Sequence, residues 1–285
     1  MSNAVSPIDE AFGRCRAEGR AAFVAFLTAG YPSLDITPDL IRAAAEGGAD
    51  IIEVGFPYSD PVADGPIIQA SSQQALANGA TFDAVLEAAR LARSPVPLLA
   101  FTYYNPLFVR GLERSAEDLR SAGFAGAIVP DLPPESAAPL MHALTARGLT
   151  ISFIVAPTTP AARAERIARF CDGFVYVAGR TGVTGTHKGA DGMLSVWISE
   201  LRRLTDKPLA VGFGIANPEQ ASAVIEQADG FVVGSALIEA CGAPEPIAAV
   251  RELCARFGMQ AGTPMLRRGV QGKNQTAHAT RPLHF

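Results

Sequence analysis

The sequence predicts an α/β fold, a single-domain (β/α)8 TIM barrel with extra helices. Three observations predict it: short apolar runs recur about every 30 residues, amphipathic stretches separate them, and the runs are continuous rather than alternating. Continuous apolar runs are typical of parallel strands that are buried on both faces. Eight strand and helix units in about 240 residues are enough to close a barrel.

Eight segments rich in Val, Ile, Leu and Phe are the predicted strands. They lie at residues 22–28, 49–54, 97–102, 126–129, 150–155, 173–177, 208–212 and 229–233. The long interval between the second and third segments predicts an extra helix, at about 66–79, ahead of one at 82–93. The alternative is an open, doubly wound sheet, but no GxGxxG motif follows the first strand.

Capping signals mark two helix starts. Asn217 followed by Pro218 and Gln220 supplies an N-cap, a proline at the first helical position and a capping-box partner. Ser115 followed by Asp118 is a second candidate start. We assign the barrel to residues 1–257 and expect residues 258–285, which are polar and lack periodicity, to form a solvated, disordered tail.

The composition limits the class of protein. The chain has 285 residues, 48% hydrophobic and 18% charged, with a net charge of −4, which argues against a basic nucleic-acid-binding surface. Its longest mostly apolar run, residues 21–29, is about half of a bilayer span. The cysteines lie far apart without a CxxC pair, as is typical of reduced thiols. We therefore expect a cytoplasmic protein that binds neither nucleic acid nor a membrane.

In a barrel of this kind the catalytic groups lie at the carboxyl ends of the strands and in the loops that follow. Glu53 stands near the end of the second predicted strand, among apolar neighbours that would raise the pKa of its carboxyl toward neutrality. The next loop, residues 55–66, is stiffened by prolines and glycines and carries Asp60 and Asp64. We expect it to direct one aspartate to the site that Glu53 faces, although both are common turn residues.

Glycine-containing loops follow the last three strands. Residues 179–189 hold four glycines and three threonines, which favours a lid over a substrate, or else a long surface loop. The seventh strand ends in GFGI at 212–215, and the eighth in GS at 234–235. Backbone N–H groups at such turns bind anions, and the loops after strands seven and eight are the usual phosphate site of this fold. The two turns together predict a bound phosphate.

Side chains that Schiff-base aldolases and zinc aldolases need are missing from the predicted mouth of the barrel. The lysines are Lys188 at a loop tip, Lys207 before a strand and Lys273 in the tail, which disfavours a Schiff base. The four histidines form no cluster with carboxylates, so we predict no metal. With a Schiff base and a metal both disfavoured, the remaining mechanism is acid–base catalysis by carboxylates on a phosphorylated substrate.

Segment 52–66, IEVGFPYSDPVADGP, resembles the strand-two signature of the tryptophan synthase α chain family. Further similar segments are FVAFLTAG at 23–30, TYYNP at 102–106, RTGVTG at 180–185, GFGI at 212–215 and GS at 234–235. The resemblance covers about residues 8–257. It implies a TIM-barrel lyase of tryptophan biosynthesis that cleaves indole-3-glycerol phosphate, by a retro-aldol reaction, to indole and glyceraldehyde 3-phosphate.

The resemblance also implies roles for individual residues. Glu53 corresponds to the acid–base residue of the family, and Asp64 to the carboxylate that faces the indole nitrogen. Protonation of C3 would let indole leave as a neutral molecule, and Asp64 would stabilise the cation on the ring nitrogen. Glu53 could supply the C3 proton or take the proton of the glycerol hydroxyl, and the sequence leaves both open. The implied substrate contacts are Phe26, Phe101, Tyr103, Tyr176, Thr184, Gly185, Gly214, Gly234 and Ser235.

The family pairs with a β chain, so the resemblance implies an α2β2 assembly in which indole passes to the partner through a tunnel. Pyridoxal phosphate would belong to the tryptophan synthase β chain, and no cofactor is expected in this chain. The loop that carries Asp60 and the loop at 179–189 would face the partner.

Three other functions stay open at this point. A different phosphosugar barrel, similar to phosphoribosyl-anthranilate isomerase, would share the phosphate turns but leaves the loop after Glu53 unexplained. A stand-alone lyase would release indole without a partner. A non-catalytic α-like subunit would only bind or activate a partner, which leaves Glu53 and Asp64 unexplained.

Overall fold

The computed structural model of the protein describes residues 5–179, 190–212 and 214–262. Within these residues, parallel strands alternate with helices. The strands are β1 (Ala22–Thr28), β2 (Ile51–Gly55), β3 (Leu98–Phe101), β4 (Phe124–Ile128), β5 (Thr150–Ser152), β6 (Ile154–Val155), β7 (Val175–Ala178), β8 (Leu209–Gly212) and β9 (Gly230–Val233). The bounds of each predicted strand differ by at most two residues from those of an observed strand, and segment 150–155 covers both β5 and β6.

Helices follow most of the strands and account for the lengths of the connections. They are α1 (Pro7–Ala17), α2 (Thr37–Glu46), α3 (Pro66–Ala77), α4 (Phe82–Ala92), α5 (Tyr104–Arg110), α6 (Leu112–Ser121), α7 (Ala138–Thr145), α8 (Ala161–Phe170), α9 (Ala190–Leu204), α10 (Pro218–Ile225), α11 (Ser235–Cys241) and α12 (Pro246–Ala261). The two helices expected between β2 and β3 are α3 and α4. None of the helices in the described ranges is long and apolar enough to cross a bilayer.

The sheet closes through residues 150–155, the fifth predicted strand. A break at Phe153 divides this segment, so that β5 pairs with β4 and β6 pairs with β7. The strand order is β5-β4-β3-β2-β1-β9-β8-β7-β6, and one continuous segment joins its two ends. The strands therefore surround a common axis, and the expected TIM barrel with extra helices is confirmed.

Side chains alternate between two apolar layers along the strands. On β1, Val24 and Phe26 belong to an inner layer together with Ile51 of the neighbouring strand. Phe23 belongs to the outer layer and packs against Phe257 of α12, with ring centroids 5.6 Å apart. Because both layers are buried, the strands are apolar throughout their length, which is the pattern that predicts them.

Helix α1 closes the amino-terminal end of the barrel and was not among the helices predicted from the sequence. Phe12 on α1 packs against Phe174, just before β7, with ring centroids 5.3 Å apart. A Cβ added to Gly230, the first residue of β9, would lie 3.0 Å from the Phe12 ring. Since α1 covers this end, the carboxyl ends of the strands form the rim at which a ligand enters.

Buried ion pairs fix the amino-terminal ends of adjacent strands. Arg20 donates two hydrogen bonds to Asp50, at 2.7 and 2.8 Å, and Asp50 also accepts the backbone N–H of Phe23 at 3.0 Å. Arg202 donates in a similar way to Asp229, just before β9. Asp50 and Asp229 are thus each held in place by an arginine.

One of the two capping predictions is confirmed and the other is wrong. The side chain of Asn217 accepts the backbone N–H of Gln220 at the start of α10, as predicted. Ser115 does not begin a helix, because α6 starts at Leu112. Ser115 lies inside that helix and donates from Oγ to the Leu107 carbonyl, at 3.1 Å.

The last helix extends past the expected end of the barrel at residue 257. Helix α12 continues to Ala261, which is 1% exposed and belongs to the outer apolar layer. Burial of Ala261 explains why the helix does not stop where the sequence becomes polar. The remainder of the expected tail, from residue 263 onward, lies outside the described residues.

Candidate active site

Glu53 is buried inside the barrel on β2. Its partners in the strand register are Phe26 on β1 and Leu99 on β3, both members of the inner apolar layer. The residue is 0% exposed, and neither carboxyl oxygen has a hydrogen-bond partner among the described residues. Burial raises the pKa of Glu53 from 4.5 to about 8, so the carboxyl is mostly protonated at neutral pH.

The loop after β2 separates its two aspartates. The backbone N–H of Asp64 donates to the Pro61 carbonyl at 3.0 Å, which closes a tight turn. Gln69 on α3 holds the same residue by donating to the Asp64 carbonyl at 2.8 Å. Asp64 is only 7% exposed, whereas Asp60 is exposed. The structure therefore turns Asp64, and not Asp60, toward the interior.

Tyr103 is the hydrogen-bond partner of the Asp64 side chain. Its hydroxyl donates to Asp64 Oδ2 at 3.0 Å. Burial raises the pKa of Asp64 from 3.8 to about 6, and the bond from Tyr103 acts in the opposite direction. Asp64 is thus mostly ionised at neutral pH, while Glu53 is mostly protonated. Two buried carboxyls in opposite charge states suit an acid paired with an electrostatic stabiliser.

Tyr176 interacts electrostatically with both carboxyls. It lies on β7 in the inner layer, and burial raises its pKa well above the ordinary value. The negative charges of Glu53 and Asp64 raise that pKa further. A phenol that is affected by both charges lies near both groups, because the interaction falls with distance. Glu53 and Asp64 therefore both lie within electrostatic range of the Tyr176 hydroxyl.

A glycine at the end of β8 makes room for Tyr176. A Cβ added to Gly212 would lie 2.1 Å from the Tyr176 hydroxyl oxygen and 2.5 Å from its ring carbon Cζ. Both distances are far below van der Waals contact. The ring can occupy its position only because residue 212 has no side chain.

Phe26 and Phe101 form an apolar wall beside Glu53. Their rings meet edge to face, with centroids 5.4 Å apart. A Cβ added to Gly55 would lie 2.7 Å from Phe26 Cζ, so this glycine lets the ring approach the backbone of β2. An aromatic wall beside a few polar groups is typical of sites for flat aromatic ligands.

The predicted phosphate turns lie at the same rim as the carboxyls. Gly214 follows β8 with a φ of +97°, a conformation that favours glycine. Gly234 comes directly after β9, and Ser235 is the first residue of α11. Because all strands are parallel, their carboxyl ends meet at one rim. Thr184 and Gly185 lie outside the described residues.

Sequence reasoning missed two residues near Asp64. Tyr58, in the loop after β2, stacks on Tyr103 with ring centroids 4.9 Å apart. Asp131, just after β4, accepts the backbone N–H of Tyr104 at 2.9 Å and so holds the start of α5. Asp131 is an acidic residue in the loop after a strand, which is the signal that identified Asp60 and Asp64. No sequence signal indicates the stacking of Tyr58.

Comparisons with known proteins agree with this geometry. Residues 12–263 match the family model described as Tryptophan synthase alpha chain. The chain belongs to the tryptophan synthase α chain family. A tryptophan synthase alpha chain of Picosynechococcus is 41% identical over 256 residues, which cover 88% of this chain and 97% of the relative. One from Prochlorococcus marinus is 45% identical over 248 residues, covering 86% and 90%.

Solved structures of tryptophan synthase have the same fold. A ligand-free structure from M. tuberculosis has a TM-score of 0.82 and 33% identity, covering 90% of this chain and 100% of that one. A subunit alpha structure from Legionella pneumophila has a TM-score of 0.83 and 32% identity, covering 90% and 99%. The expected family and enzyme class are confirmed: the chain is a lyase of tryptophan biosynthesis that cleaves indole-3-glycerol phosphate.

Proposed function

We propose that Glu53 and Asp64 carry out this cleavage in the chain. Glu53 is the acid and base, and Asp64 stabilises positive charge at the indole nitrogen. The observation that carries the proposal is the pair of buried carboxyls at one rim, one protonated and one ionised near neutral pH. Their different environments separate their pKa values, as the two roles require.

The first step uses the proton that Glu53 holds at rest. Glu53 donates it to C3 of the indole ring, and the positive charge that forms is shared with the ring nitrogen. The ionised carboxylate of Asp64 stabilises that charge in a site from which water is largely excluded. The apolar wall of Phe26 and Phe101 and the ring of Tyr176 hold the indole in place.

The second step uses the carboxylate that the first step leaves. Glu53 takes the proton of the glycerol hydroxyl next to the breaking bond, and the bond between the glycerol carbon and C3 breaks. Its electron pair returns to the ring, which leaves as neutral indole, and the other product is the aldehyde glyceraldehyde 3-phosphate. Glu53 gives one proton and regains one, so it is unchanged at the end of the cycle.

The phosphate group binds at the glycine turns after β8 and β9. Gly214, Gly234 and Ser235 offer backbone N–H groups and a hydroxyl at the rim where the carboxyls lie. Thr184 and Gly185 complete the contacts in this proposal. A bound phosphate fixes the distance between the scissile bond and Glu53, so phosphate binding orients the substrate for the reaction.

A tryptophan synthase β chain docks on the same rim and receives the indole. Val62, beside Asp60, is 80% exposed, and Phe108 and Val109 on α5 are 62% and 77% exposed. Exposed apolar groups beside an active site are typical of an interface. In the proposal the assembly is α2β2 and cytoplasmic, pyridoxal phosphate belongs to the β chain, and this chain requires no cofactor.

The test is an assay of indole release from indole-3-glycerol phosphate by the purified chain, with a β chain added. Indole and glyceraldehyde 3-phosphate should appear in equal amounts, and a chain that releases no indole would overturn the proposal. Size-exclusion chromatography with and without the β chain separates an α2β2 enzyme from a stand-alone lyase. Glycerol 3-phosphate should raise the melting temperature, and no shift at millimolar ligand would remove the phosphate site.

A further inference from the structure

Tyr103 lies between the loop that carries Asp64 and the start of α5. Its hydroxyl oxygen is 3.0 Å from both the backbone nitrogen of Ala63 and Oδ2 of Asp64. The residue is 2% exposed, and its ring stacks on Tyr58. The next residue, Tyr104, is held by Asp131 through its backbone N–H. Packing and hydrogen bonds therefore fix the position of the hydroxyl.

The chemistry of the groups sets the direction of these two hydrogen bonds. The N–H of Ala63 can only donate, so the oxygen of Tyr103 accepts that bond. A phenol carries one hydrogen, and the Asp64 carboxylate is the acceptor within its reach. The ionised form of Asp64 accepts this hydrogen, whereas a proton on Oδ2 would compete with it. The contact therefore favours ionised Asp64.

The other surroundings of Asp64 oppose its ionised form. Asp64 is 7% exposed, and burial raises the pKa of its carboxyl. The titratable groups nearby are Glu53 and Tyr176 across the pocket and Asp131 on the far side of Tyr103, and none of them supplies a positive charge. Within the described part of the chain, Asp64 forms no ion pair.

We propose that Tyr103 is a positioning residue that keeps Asp64 ionised and correctly placed for the reaction. Its hydroxyl donates a hydrogen bond to Oδ2 of Asp64, which leaves Oδ1 free to accept the indole N–H. The hydrogen bond from the backbone N–H of Ala63 to the same hydroxyl fixes the backbone directly before Asp64. The inference rests on the role of Asp64 in the proposed function. In this proposal Tyr103 contacts Asp64 and acts through it. The family resemblance instead implies direct contact between Tyr103 and the substrate.

The first test measures the pKa of Asp64 itself, in the chain with and without the substitution Tyr103→Phe. Carbon-13 labelling of aspartate and an NMR titration give the value, with Asp64→Asn to assign the resonance. Loss of the hydroxyl should raise the pKa of Asp64 by about one unit. An unchanged pKa in the Tyr103→Phe variant would overturn the proposal.

The second test follows kcat for indole release against pH, with the β chain present. If Asp64 must be ionised, a pKa raised by about one unit lowers kcat about 5-fold at pH 6, and the difference disappears toward pH 8.5. The KM for indole-3-glycerol phosphate should change less than about 2-fold, because the hydroxyl acts through Asp64. A loss of equal size at every pH would mark a purely structural role and contradict the proposal.

Tyr104→Phe is the matched control. It removes a hydroxyl from the adjacent residue, whose ring packs against Phe108, and it should leave both the Asp64 titration and the pH profile unchanged. The two tests also separate this inference from the proposed function. A wild-type chain that releases no indole would overturn the proposed function, whereas the NMR titration would still decide whether Tyr103 controls the charge of Asp64.

Discussion

Asp50 comes directly before β2, Glu53 is the middle residue of that strand, and the protein treats these two carboxyls in opposite ways. Asp50, 5% exposed, accepts hydrogen bonds from both terminal nitrogens of Arg20 and from a backbone N–H. Glu53, 0% exposed, has no hydrogen-bond partner in the described residues. Both oxygens of the Asp50 carboxyl accept hydrogen bonds, whereas neither oxygen of the Glu53 carboxyl has a hydrogen-bond partner in the described residues.

The difference indicates that the paired carboxyl contributes to stability, whereas the unpaired carboxyl is available for chemistry. At the amino-terminal end, Asp50 and Asp229 are paired with arginines, so their charges help to hold neighbouring strands in place. Further along β2, inside the barrel, Glu53 has no hydrogen-bond partner in the described residues, which costs stability and favours the protonated carboxyl. In a TIM barrel, catalysis is expected toward the carboxyl ends of the strands.

The largest effect should come from Glu53→Gln, which keeps the shape but removes the transferable proton. We expect kcat for indole release to fall at least about 100-fold, and up to about 10⁴-fold, the range of acid–base contributions. Steady-state kinetics with the β chain present measures it, and circular dichroism checks the fold. A variant with the wild-type rate would remove Glu53 from catalysis.

The same variant should become more stable than wild type as the pH rises. The pKa of Glu53 is raised from 4.5 to about 8, so ionisation favours the unfolded state across this window and wild-type stability falls between these values. Glutamine does not titrate, so its advantage should grow by about 3 kcal/mol between pH 5 and pH 8. Urea titrations at both pH values measure it. A difference that is constant with pH would mean that Glu53 is ionised in the folded chain.

Substitution at the amino-terminal end should affect stability without changing the chemistry. In Arg20→Met, buried Asp50 would lose its close cation and keep only Arg14, which is 48% exposed and 3.7 Å away. We expect this change to lower the free energy of unfolding by about 2 kcal/mol, less than for a fully buried pair because Arg20 is 21% exposed. Chemical denaturation measures this change. The kcat of the folded variant should equal that of wild type, and a selective loss of kcat would break the comparison between the two carboxyls.

A smaller effect is expected at the glycine behind Tyr176. In Gly212→Ala the new methyl group would overlap Tyr176, since the added Cβ lies 2.1 Å from its hydroxyl oxygen. We expect the ring to move into the substrate site, which lowers kcat/KM about 10-fold. Gly19→Ala is the control for a glycine outside the site, although its positive φ costs some stability. Equal kcat/KM values for Gly212→Ala and wild type would mean that the position of Tyr176 is not critical.

The fold and the burial of Glu53 could be predicted because both depend on local signals. Continuous apolar runs mark the strands, and Glu53 stands out as a charge inside such a run. The features that were missed depend on contacts between distant segments. The Tyr103 to Asp64 bond spans 39 residues, and α1 is placed by its contact with Phe174 near β7. The break at Phe153 follows from closure of the barrel, which no local pattern encodes.

The most direct test of the proposed mechanism is the protonation state of Glu53 in the folded chain. Carbon-13 labelling of the glutamate carboxyls, with Glu53→Gln to assign the signal, gives its titration curve in the folded chain. We expect a midpoint near pH 8, because burial raises the pKa of this carboxyl. A midpoint near 4.5, the ordinary value of the side chain, would show an ionised Glu53 at neutral pH with no proton to give.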